Sequence, residues 1–556
     1  MDHTESLSDD SSIRLVALGG LGEVGMNCMV IEHRGAIVLV DCGVTFSYRE
    51  LGIDLVYPDF GYLLSRADKI KALLVTHGHE DHIGAIPYLL RYIDLPIYGP
   101  AYAIALIRER LNEVAPPNEP RLFQLMPAER LQIGPFDIEP VQATHSIPNT
   151  VCLVFRTAAG TIVHSGDFKI DPNPPDGKIL DTKRLAEIGD EGVRLLLSDS
   201  TNIDVEGISS GEIDVASALD ARIANAKGRV VVCLFGSNIH RLRAVLTAAK
   251  KHERLVLLLG RSLRTHHRLA ESLGLLADDK PLFVSVEKAM SIPRQRLLVA
   301  ATGTQGEPRA VLYRLVNKTH ERLRLEKGDE VILSSRVIPG NEYAVFELIN
   351  KLERDGISVW HQSLDRDLHA SGHACREEQR KMLELTRPKA FVPIHGTFYH
   401  RNHHARLAQE MGINETIVVG NGTVIEFDDR GSRIVETVHT DQVFLQSEHE
   451  ISKIVLQDRK LLAQVGIVII VLVVDSSGSV IADPAVLTRG VVHEEQSQEL
   501  LKAISIKVDQ SLLGLEPPID NDRLRDVACR TARLVLKREL GWKPLVYCVV
   551  TKPTLI

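Results

Sequence analysis

Three histidines and an aspartate crowd into the segment THGHEDHIGAIPYLL: His77, His79, Asp81 and His82. Neutral imidazole and carboxylate are ligands for zinc and similar borderline ions, and alternating positions on a tight loop send side chains to two neighbouring ions. The loop follows the apolar stretch ALLVT and precedes a helical pattern with Ile83, Ile86 and Leu90 at apolar positions. One such loop does not complete two metal sites, so further ligands are expected on other strand ends facing the same crevice. His145 in ATHSIP, Asp167 in HSGDFK and His395 in PIHG each follow an apolar run, in a small-residue turn that lets backbone approach a ligand. Singly, each is an ordinary turn residue; together with the first loop, metal ligation accounts for them all. His164, one strand position before its turn, is expected to be structural.

The elements that must hold these groups are legible in the apolar patterning. From Ile13, the stretches IRLVAL, NCMVIEH and AIVLVDCG predict an antiparallel meander. ALLVT, DIEPVQAT, TIVHSGD, RLLLSDS and KAFVPIHG predict strands that deliver a His or Asp at their C-terminal ends. Between Asp204 and about Asp365 strands and helices alternate, as in GRVVVCLFGS, IHRLRAVLTAAKKH and ERLVLLLG, which predicts an inserted α/β domain. The His/Asp-rich style resumes at LHASGHA, so the first domain leaves the chain and returns to it. After about Ser447 come a GIVIIVLVV strand, a helix over HEEQSQELLKAISIKVDQSLL and a basic helix near Arg523 to Glu539, without a catalytic cluster. The expected divisions are a disordered 1–12, a first domain in two parts (13–204 and 366–447), an insertion at 205–365, a linker at 448–460 and a C-terminal domain at 461–556.

A chain of 556 residues is too long for one core. With 44% hydrophobic and 25% charged residues it has the composition of a soluble globular protein able to bury an active site. The net charge of -8 leaves no general basic footprint, so any nucleic-acid site must be local. Seven cysteines without a CxxC pair read as reduced packing residues of a cytoplasmic protein. The polar stretch Met1 to Ser12 lacks the pattern of a secretory signal. The longest apolar run, Val465 to Val474, is about half the ~20 residues of a membrane span and predicts a buried strand, so no membrane partner is expected.

HGHEDH, THS, SGD and IHG, in this order and spacing, resemble the successive motifs of the metallo-β-lactamase superfamily. An insertion opening after SDSTN and closing before SGHA is similar to that of the β-CASP nucleases. FGSNIHR, GRSL, ATGTQGEP, SSRVIPGNE, LHASGHA and PIHG together resemble the ribonuclease J family over nearly the whole chain. The resemblance implies an α/β protein: a metallo-β-lactamase αββα sandwich, an inserted β-CASP α/β domain and a small α+β C-terminal domain. It implies two Zn2+ per chain, with Mn2+ or Mg2+ as alternative activating ions. His77, His79 and His145 would hold one metal, Asp81, His82 and His395 the other, and Asp167 would bridge.

The family's motif A acid falls on Asp199, motif B on His373 and motif C on His395, and a His at motif C goes with RNA substrates. Two close cations activate water near neutral pH and stabilise a phosphate under in-line attack. His373, held by Asp199, is expected to protonate the leaving 3′-oxygen or steady its charge; the plainer role for Asp199 is a turn or N-cap in SDSTN. Gly236, Ser237 and Asn238, with the turn His369, Ala370, Ser371, Gly372 and His373, are expected to offer hydroxyls and N–H groups to phosphate oxygens. Arg241, Arg261, Arg264 and Arg268 are nearby sources of positive charge, although an arginine on a helix is ordinarily a solvated surface residue. FGSN and TGTQGE stand where the family usually has FASN and TGSQGE, small changes that bear on substrate preference. The implied activity is 5′-to-3′ exonuclease action on single-stranded RNA with a 5′-monophosphate, with endonuclease action besides, in RNA maturation and decay. The C-terminal region reads as an assembly module, implying a homodimer or homotetramer and RNA-decay protein partners. A small-molecule hydrolase and a non-catalytic partner subunit are the competing readings; the long insertion argues against the first and the complete ligand set against the second.

Overall fold

The structure, a computed structural model, describes residues 12–277, 280–493, 497–515 and 520–552. Apart from Ser12, which is buried, the expected disorder of 1–12 lies outside the described residues. The chain forms two compact units, one of Met1–Thr45 with Val56–Gln442 and the other of Phe46–Leu55 with Val443–Ile556.

The first unit contains two large sheets. One has eight strands in the spatial order Gly431–Thr437, Thr423–Asp428, Ile13–Gly19, Cys28–His33, Ala36–Val40, Ile70–Leu74, Ile97–Gly99 and Leu122–Gln124. Its Ile13–Gly19, Cys28–His33 and Ala36–Val40 strands are the expected antiparallel meander. The other has seven, in the order Glu415–Thr416, Ala390–Ile394, Leu195–Asp199, Gly160–His164, Val151–Thr157, Phe136–Gln142 and Leu131–Ile133. Leu195 and Leu197 join Val38, Val40, Leu74 and Leu153 in the core shared by the two sheets. Leu196 points the other way, into a layer with Leu185, Met382 and Leu407 from the helices Thr182–Glu191, Arg376–Thr386 and Phe398–Glu410. Side chains alternate across a strand, so continuous apolar runs such as LLL are what two covered faces require.

The inserted region is built on a five-stranded parallel sheet in the order Leu255–Leu259, Leu297–Ala301, Val230–Cys233, Glu330–Leu333 and Ser358–His361. The helix Ala101–Glu113 of the sandwich meets the helix Arg261–Ser272 of the insertion, where Tyr102 Oη lies 2.8 Å from His266 Nδ1 and Arg268 pairs with Glu109.

The second unit carries the strands Ala485–Arg489, Ile467–Val473 and Leu545–Thr551 in one sheet. Ile504, Val508, Leu524 and Ala528 of the helices Gln498–Leu512 and Asn521–Leu540 pack on it beside Val468, Ile470 and Leu472. Ile467–Val473 was expected to be a buried strand; its alternate residues are only half-buried. Residues 494–496 of the expected helical stretch lie outside the described residues. The segment read as a linker contains the start of a helix, Lys453–Val465, capped by Ser452, which accepts from Val455 N. Phe46–Leu55, assigned from sequence to the first domain, belongs to this second unit. Among the described residues, no helix is long and apolar enough to cross a membrane. All seven cysteines are free thiols and six are buried, as packing residues should be.

Candidate metal centre

Parallel strand pairing explains why residues far apart in sequence meet. Gly160–His164, Leu195–Asp199 and Ala390–Ile394 run parallel as neighbours, so Asp167, Asp199 and His395 emerge at one edge of their sheet. In the opposing sheet Ala36–Val40 and Ile70–Leu74 are also parallel and deliver Asp41 and the His77 loop. That loop is stitched to the segment after Ala36–Val40 by Cys42 N to His82 O at 2.7 Å and Val44 N to Glu80 O at 3.0 Å. The approach requires glycine at 43, where a Cβ would stand 1.7 Å from Asp81 O.

The geometry converges on one atom. Asp167 Oδ2 lies 3.7 Å from His77 Nε2, 3.9 Å from His145 Nε2, 3.2 Å from His82 Nε2 and 3.4 Å from His395 Nε2. His79 Nδ1 is 3.1 Å from both His77 Nε2 and His145 Nε2. Asp81 Oδ2 is 3.5 Å from His82 Nε2 and 3.8 Å from His395 Nε2. Among the described residues three sets of potential ligand atoms result, each spanning at most 4.8 Å and each containing Asp167: one with His77, His79 and His145, one with Asp81, His82 and His395, and a third, overlapping the second at His395, with Asp199 and His373.

The outer ring nitrogens are engaged as well. His82 Nδ1 is 2.7 Å from Asp41 Oδ2, His77 Nδ1 3.0 Å from Thr76 Oγ1, His145 Nδ1 2.6 Å from Gly372 O and His395 Nδ1 3.0 Å from Asn27 Oδ1. Such partners set the tautomer that turns the inner lone pair toward a metal. Burial, reinforced by neighbouring imidazoles, holds His77 and His145 well below the ordinary histidine range, and burial takes His79 down to about 4. Burial also opposes charge on His82, but Asp167, Asp81 and Asp41 outweigh it and raise that ring. Asp167 is buried, yet His395, His82 and His373 hold its carboxyl well below the usual range. Imidazoles and carboxylates so gathered are the donor set that borderline divalent ions take, with the proton that the carboxylates hold on His82 given up to the ion, so the residues fit a pair of such ions.

His373 stands beside this cluster. Its Nδ1 is 2.8 Å from Asp199 Oδ2 and 3.9 Å from Asp167 Oδ2, and its ring stacks on His395 at 5.4 Å. Burial opposes its charge, but the Asp199 and Asp167 carboxylates prevail and push it up to about 9. Asp199 fills both roles considered for it: Oδ2 meets His373, while Oδ1 accepts from Thr201 N at 2.9 Å and Thr201 Oγ1 at 2.7 Å.

The remaining predicted residues divide. Ser371 Oγ accepts from Asn202 Nδ2 at 2.8 Å and from His373 N at 3.2 Å, so the turn from His369 through Ala370 to His373 is braced in place. Gly372 packs so tightly that a Cβ would lie 2.6 Å from His145 Cε1. Gly236 is buried and Ser237 partly exposed, whereas Asn238 is committed: its Oδ1 accepts from Arg241 N and its Nδ2 donates to Glu212. Arg241 is not a solvated helical arginine. It is buried against Glu212, at 3.0 Å from Nε and 2.8 Å from Nη2, and donates to Ser334 O. Arg261, Arg264 and Arg268 are exposed. His164 is behind the cluster, accepting from Gly166 N at 3.1 Å, as a structural residue would. Sequence reasoning passed over Asp41, Thr76 and Asn27; the signal for Asp41 was the strand AIVLVDCG, which ends on an acid just as TIVHSGD does.

Fold and cluster together define a metallo-β-lactamase-fold metallohydrolase carrying a β-CASP insertion. Residues 21–203 match the model of the metallo-beta-lactamase superfamily and 227–352 that of the ribonuclease J beta-CASP domain. Residues 366–419 match the Zn-dependent metallo-hydrolase RNA specificity domain, and 454–552 the ribonuclease J C-terminal domain. Ribonuclease J of Synechocystis sp. is 36% identical over 98% of this chain and 87% of its own length. Ribonuclease J of Thermus thermophilus is 36% identical over 97% of this chain and 95% of its own. The chain belongs to the ribonuclease J family. A solved structure from Enterococcus faecalis, titled a protein of unknown function, shares the fold with a TM-score of 0.50 at 16% identity, covering 78% of this chain and all of that one.

Proposed function

We propose that this chain is a two-metal ribonuclease that removes nucleotides from the 5′-monophosphate end of single-stranded RNA and also cuts internally. The observation that carries this reading is the single Asp167 oxygen shared by two donor sets, with the His373–Asp199 pair beside it. His77, His79 and His145 would hold one ion and Asp81, His82 and His395 the other, with Asp167 common to both sets; zinc suits the donors, with Mn2+ or Mg2+ as alternative activators. Such an ion pair, when bound, supplies activated water and offsets charge on the attacked phosphate.

The chain's own groups do the rest. Asp199 fixes His373 through Nδ1, which leaves Nε2 to carry a proton to the departing 3′-oxygen. Backbone N–H groups of Gly236 and Ser237, the turn His369 to Gly372 and the Ser371 hydroxyl orient phosphate oxygens, while Asn238 positions the first of these turns. Residues 13–45, 56–204 and 366–442 make up the metal-bearing domain, 205–365 the insertion, and 46–55 with 443–556 an assembly domain. The protein works in the cytoplasm in RNA maturation and decay, as a homodimer or homotetramer with other RNA-decay proteins.

The test uses purified chain with its metal content measured, on labelled single-stranded RNAs bearing 5′-triphosphate, 5′-monophosphate or 5′-hydroxyl ends, with products sized. Preference for the monophosphate end and loss of activity in His77→Ala are expected. Equal cleavage by His77→Ala, or no cleavage of any RNA, would sink the reading.

A further inference from the structure

In a parallel α/β sheet, ligands bind outside the carboxyl ends of the strands. At the carboxyl ends of Glu330–Leu333 and Ser358–His361 in the insertion lies a cavity of about 200 Å3, lined by Thr304, Ser335, Arg336, Phe346, His361 and Gln362 among others. That is below the range of roughly 300–1,000 Å3 common for small-molecule sites, and it suits one flat ring. Phe346 is 46% exposed and meets His361 edge-on at 6.0 Å, and Tyr343, one turn earlier on the helix Glu342–Arg354, is 81% exposed. Exposed aromatics on a rigid helix beside a polar cavity form the kind of platform on which unpaired bases stack.

Two sequence motifs without a part in the metal centre build the mouth of this cavity. Gln305 of ATGTQGEP donates from Nε2 to Arg336 O at 2.9 Å and accepts at Oε1 from Ile338 N at 2.8 Å and Asn341 Nδ2 at 3.3 Å. It thereby clamps the loop of SSRVIPGNE. Arg336 is exposed and its guanidinium donates to the neutral Asn202 Oδ1 at 3.4 Å; among the described residues no carboxylate is in ion-pair range of it. Asn202 in turn donates to Ser371 Oγ at 2.8 Å and His373 O at 3.2 Å. The cavity is therefore joined to the His373 turn by one arginine and one asparagine.

We propose that this cavity is a nucleotide subsite: a single unpaired base of the RNA enters it against Phe346, and the phosphate of that residue rests on Arg336. The proposal rests on the ribonuclease reading above. Its ligand chemistry, a base with its phosphate, has two sources, a residue within the RNA and a free nucleoside monophosphate; the assignment is to the RNA residue.

The experiment measures binding of fluorescently labelled single-stranded RNAs to the full-length chain, with chelator present so that the RNA stays intact. One abasic residue is moved along the strand from the 5′ end, and unlabelled nucleoside monophosphates serve as competitors. One position is expected to weaken binding about tenfold when abasic, and Phe346→Ala to abolish that position's special cost. Arg336→Gln, independently of Phe346, is expected to lower the slope of log affinity against log salt by about 0.7, the loss of one single-strand phosphate contact. Phe346 is half-exposed, so its removal spares the core, and circular dichroism checks the fold. A flat abasic profile in a chain that binds and cleaves RNA would overturn the subsite alone. The same holds for a position-specific cost that survives Phe346→Ala, or for nucleoside monophosphates competing while the profile stays flat. A chain that neither binds nor cleaves RNA would overturn the ribonuclease reading with it.

Discussion

Asp41→Asn tests the proposed metal centre through a residue outside every donor set. Asp41 Oδ2 is 2.7 Å from His82 Nδ1 and accepts from Thr76 Oγ1 at 2.9 Å, while Oδ1 accepts from Thr76 N at 2.8 Å. An asparagine keeps one oxygen. Turned toward His82, it leaves its NH2 facing the Thr76 N–H; turned the other way, its NH2 meets His82 Nδ1 and drives the proton to Nε2, the atom nearest Asp167. The first orientation loses the contact to Thr76 N, and the second keeps its contacts at the cost of the proposed ligand atom. Removing such an outer partner ordinarily costs about ten- to a hundredfold in metal affinity, or roughly 1.4–2.8 kcal/mol. The fold should survive, because Asp41 sits at φ 60° and asparagine tolerates that left-handed conformation as well as aspartate does. The assay is a chelator competition for the ions, run beside thermal unfolding of the metal-free chains. Unchanged metal affinity would refute the reasoning, and so would an equal loss of stability in the metal-free protein, since the effect would then be structural.

Three further outcomes follow from the same geometry. If His373 is the acid, it must be protonated to act: with its pKa up at about 9, kcat/KM should fall as pH rises through that value. Asp199→Asn removes the first of the carboxylates that raise it and should move this alkaline limb to lower pH, whereas an unmoved limb in the pH profile would exclude His373. Gly372→Ala would push a methyl to within 2.6 Å of His145 Cε1 and Ser146 Oγ, so elemental analysis should show loss of metal from the His77–His79–His145 set. Arg241→Met should destabilise the chain by about 3–5 kcal/mol by leaving Glu212 buried without its cation. Adding Glu212→Leu should restore most of that in calorimetry; strictly additive losses would mean the pair is not coupled.

The proposed ligands were legible because each stands in the turn or loop that follows an apolar strand, and chemistry at strand ends is a local pattern. What joins them was not local. Parallel pairing of Leu195–Asp199 with Ala390–Ile394 is what brings Asp199 beside His395, across an insertion that contributes no strand to that sheet. Arg241 has the sequence setting of a solvated helical arginine, because its partner Glu212 lies 29 residues earlier on another helix. The membership of Phe46–Leu55 in the second unit depends on contacts such as Ser447 N to Asp54 Oδ2 at 2.8 Å, a separation of 393 residues. IVIIVLV carries no polar alternation and so reads as a buried strand, yet only Val468, Ile470 and Leu472 are buried against the helices of that unit, and the residues between them are half-buried.

One feature of the centre was beyond any pattern. Asp41 and His395 are both non-glycine residues in the left-handed region, at φ 60° and 47°, and each stands directly after a strand, one in either sheet. A turn of this kind costs on the order of 1–3 kcal/mol and persists only where its surroundings over-determine it. Here they do. The Asp41 carboxylate is held by Thr76 and His82, and His395 by Asn27, whose amide also donates to Asp81 O at 3.1 Å. The backbone reversal lets each strand end abruptly with its side chain turned back over the crevice, where an extended residue would carry it past. Asn27 thus connects the two turns and the loop between them: its O accepts from Gly43 N at 3.0 Å, and its Nδ2 also lies 3.1 Å from His82 Nε2. Asn27→Ala should therefore slacken His395 and Asp81 together, so that metal analysis of the purified variant shows the ion of the second set lost while that of His77, His79 and His145 is kept; an unchanged metal content would refute this.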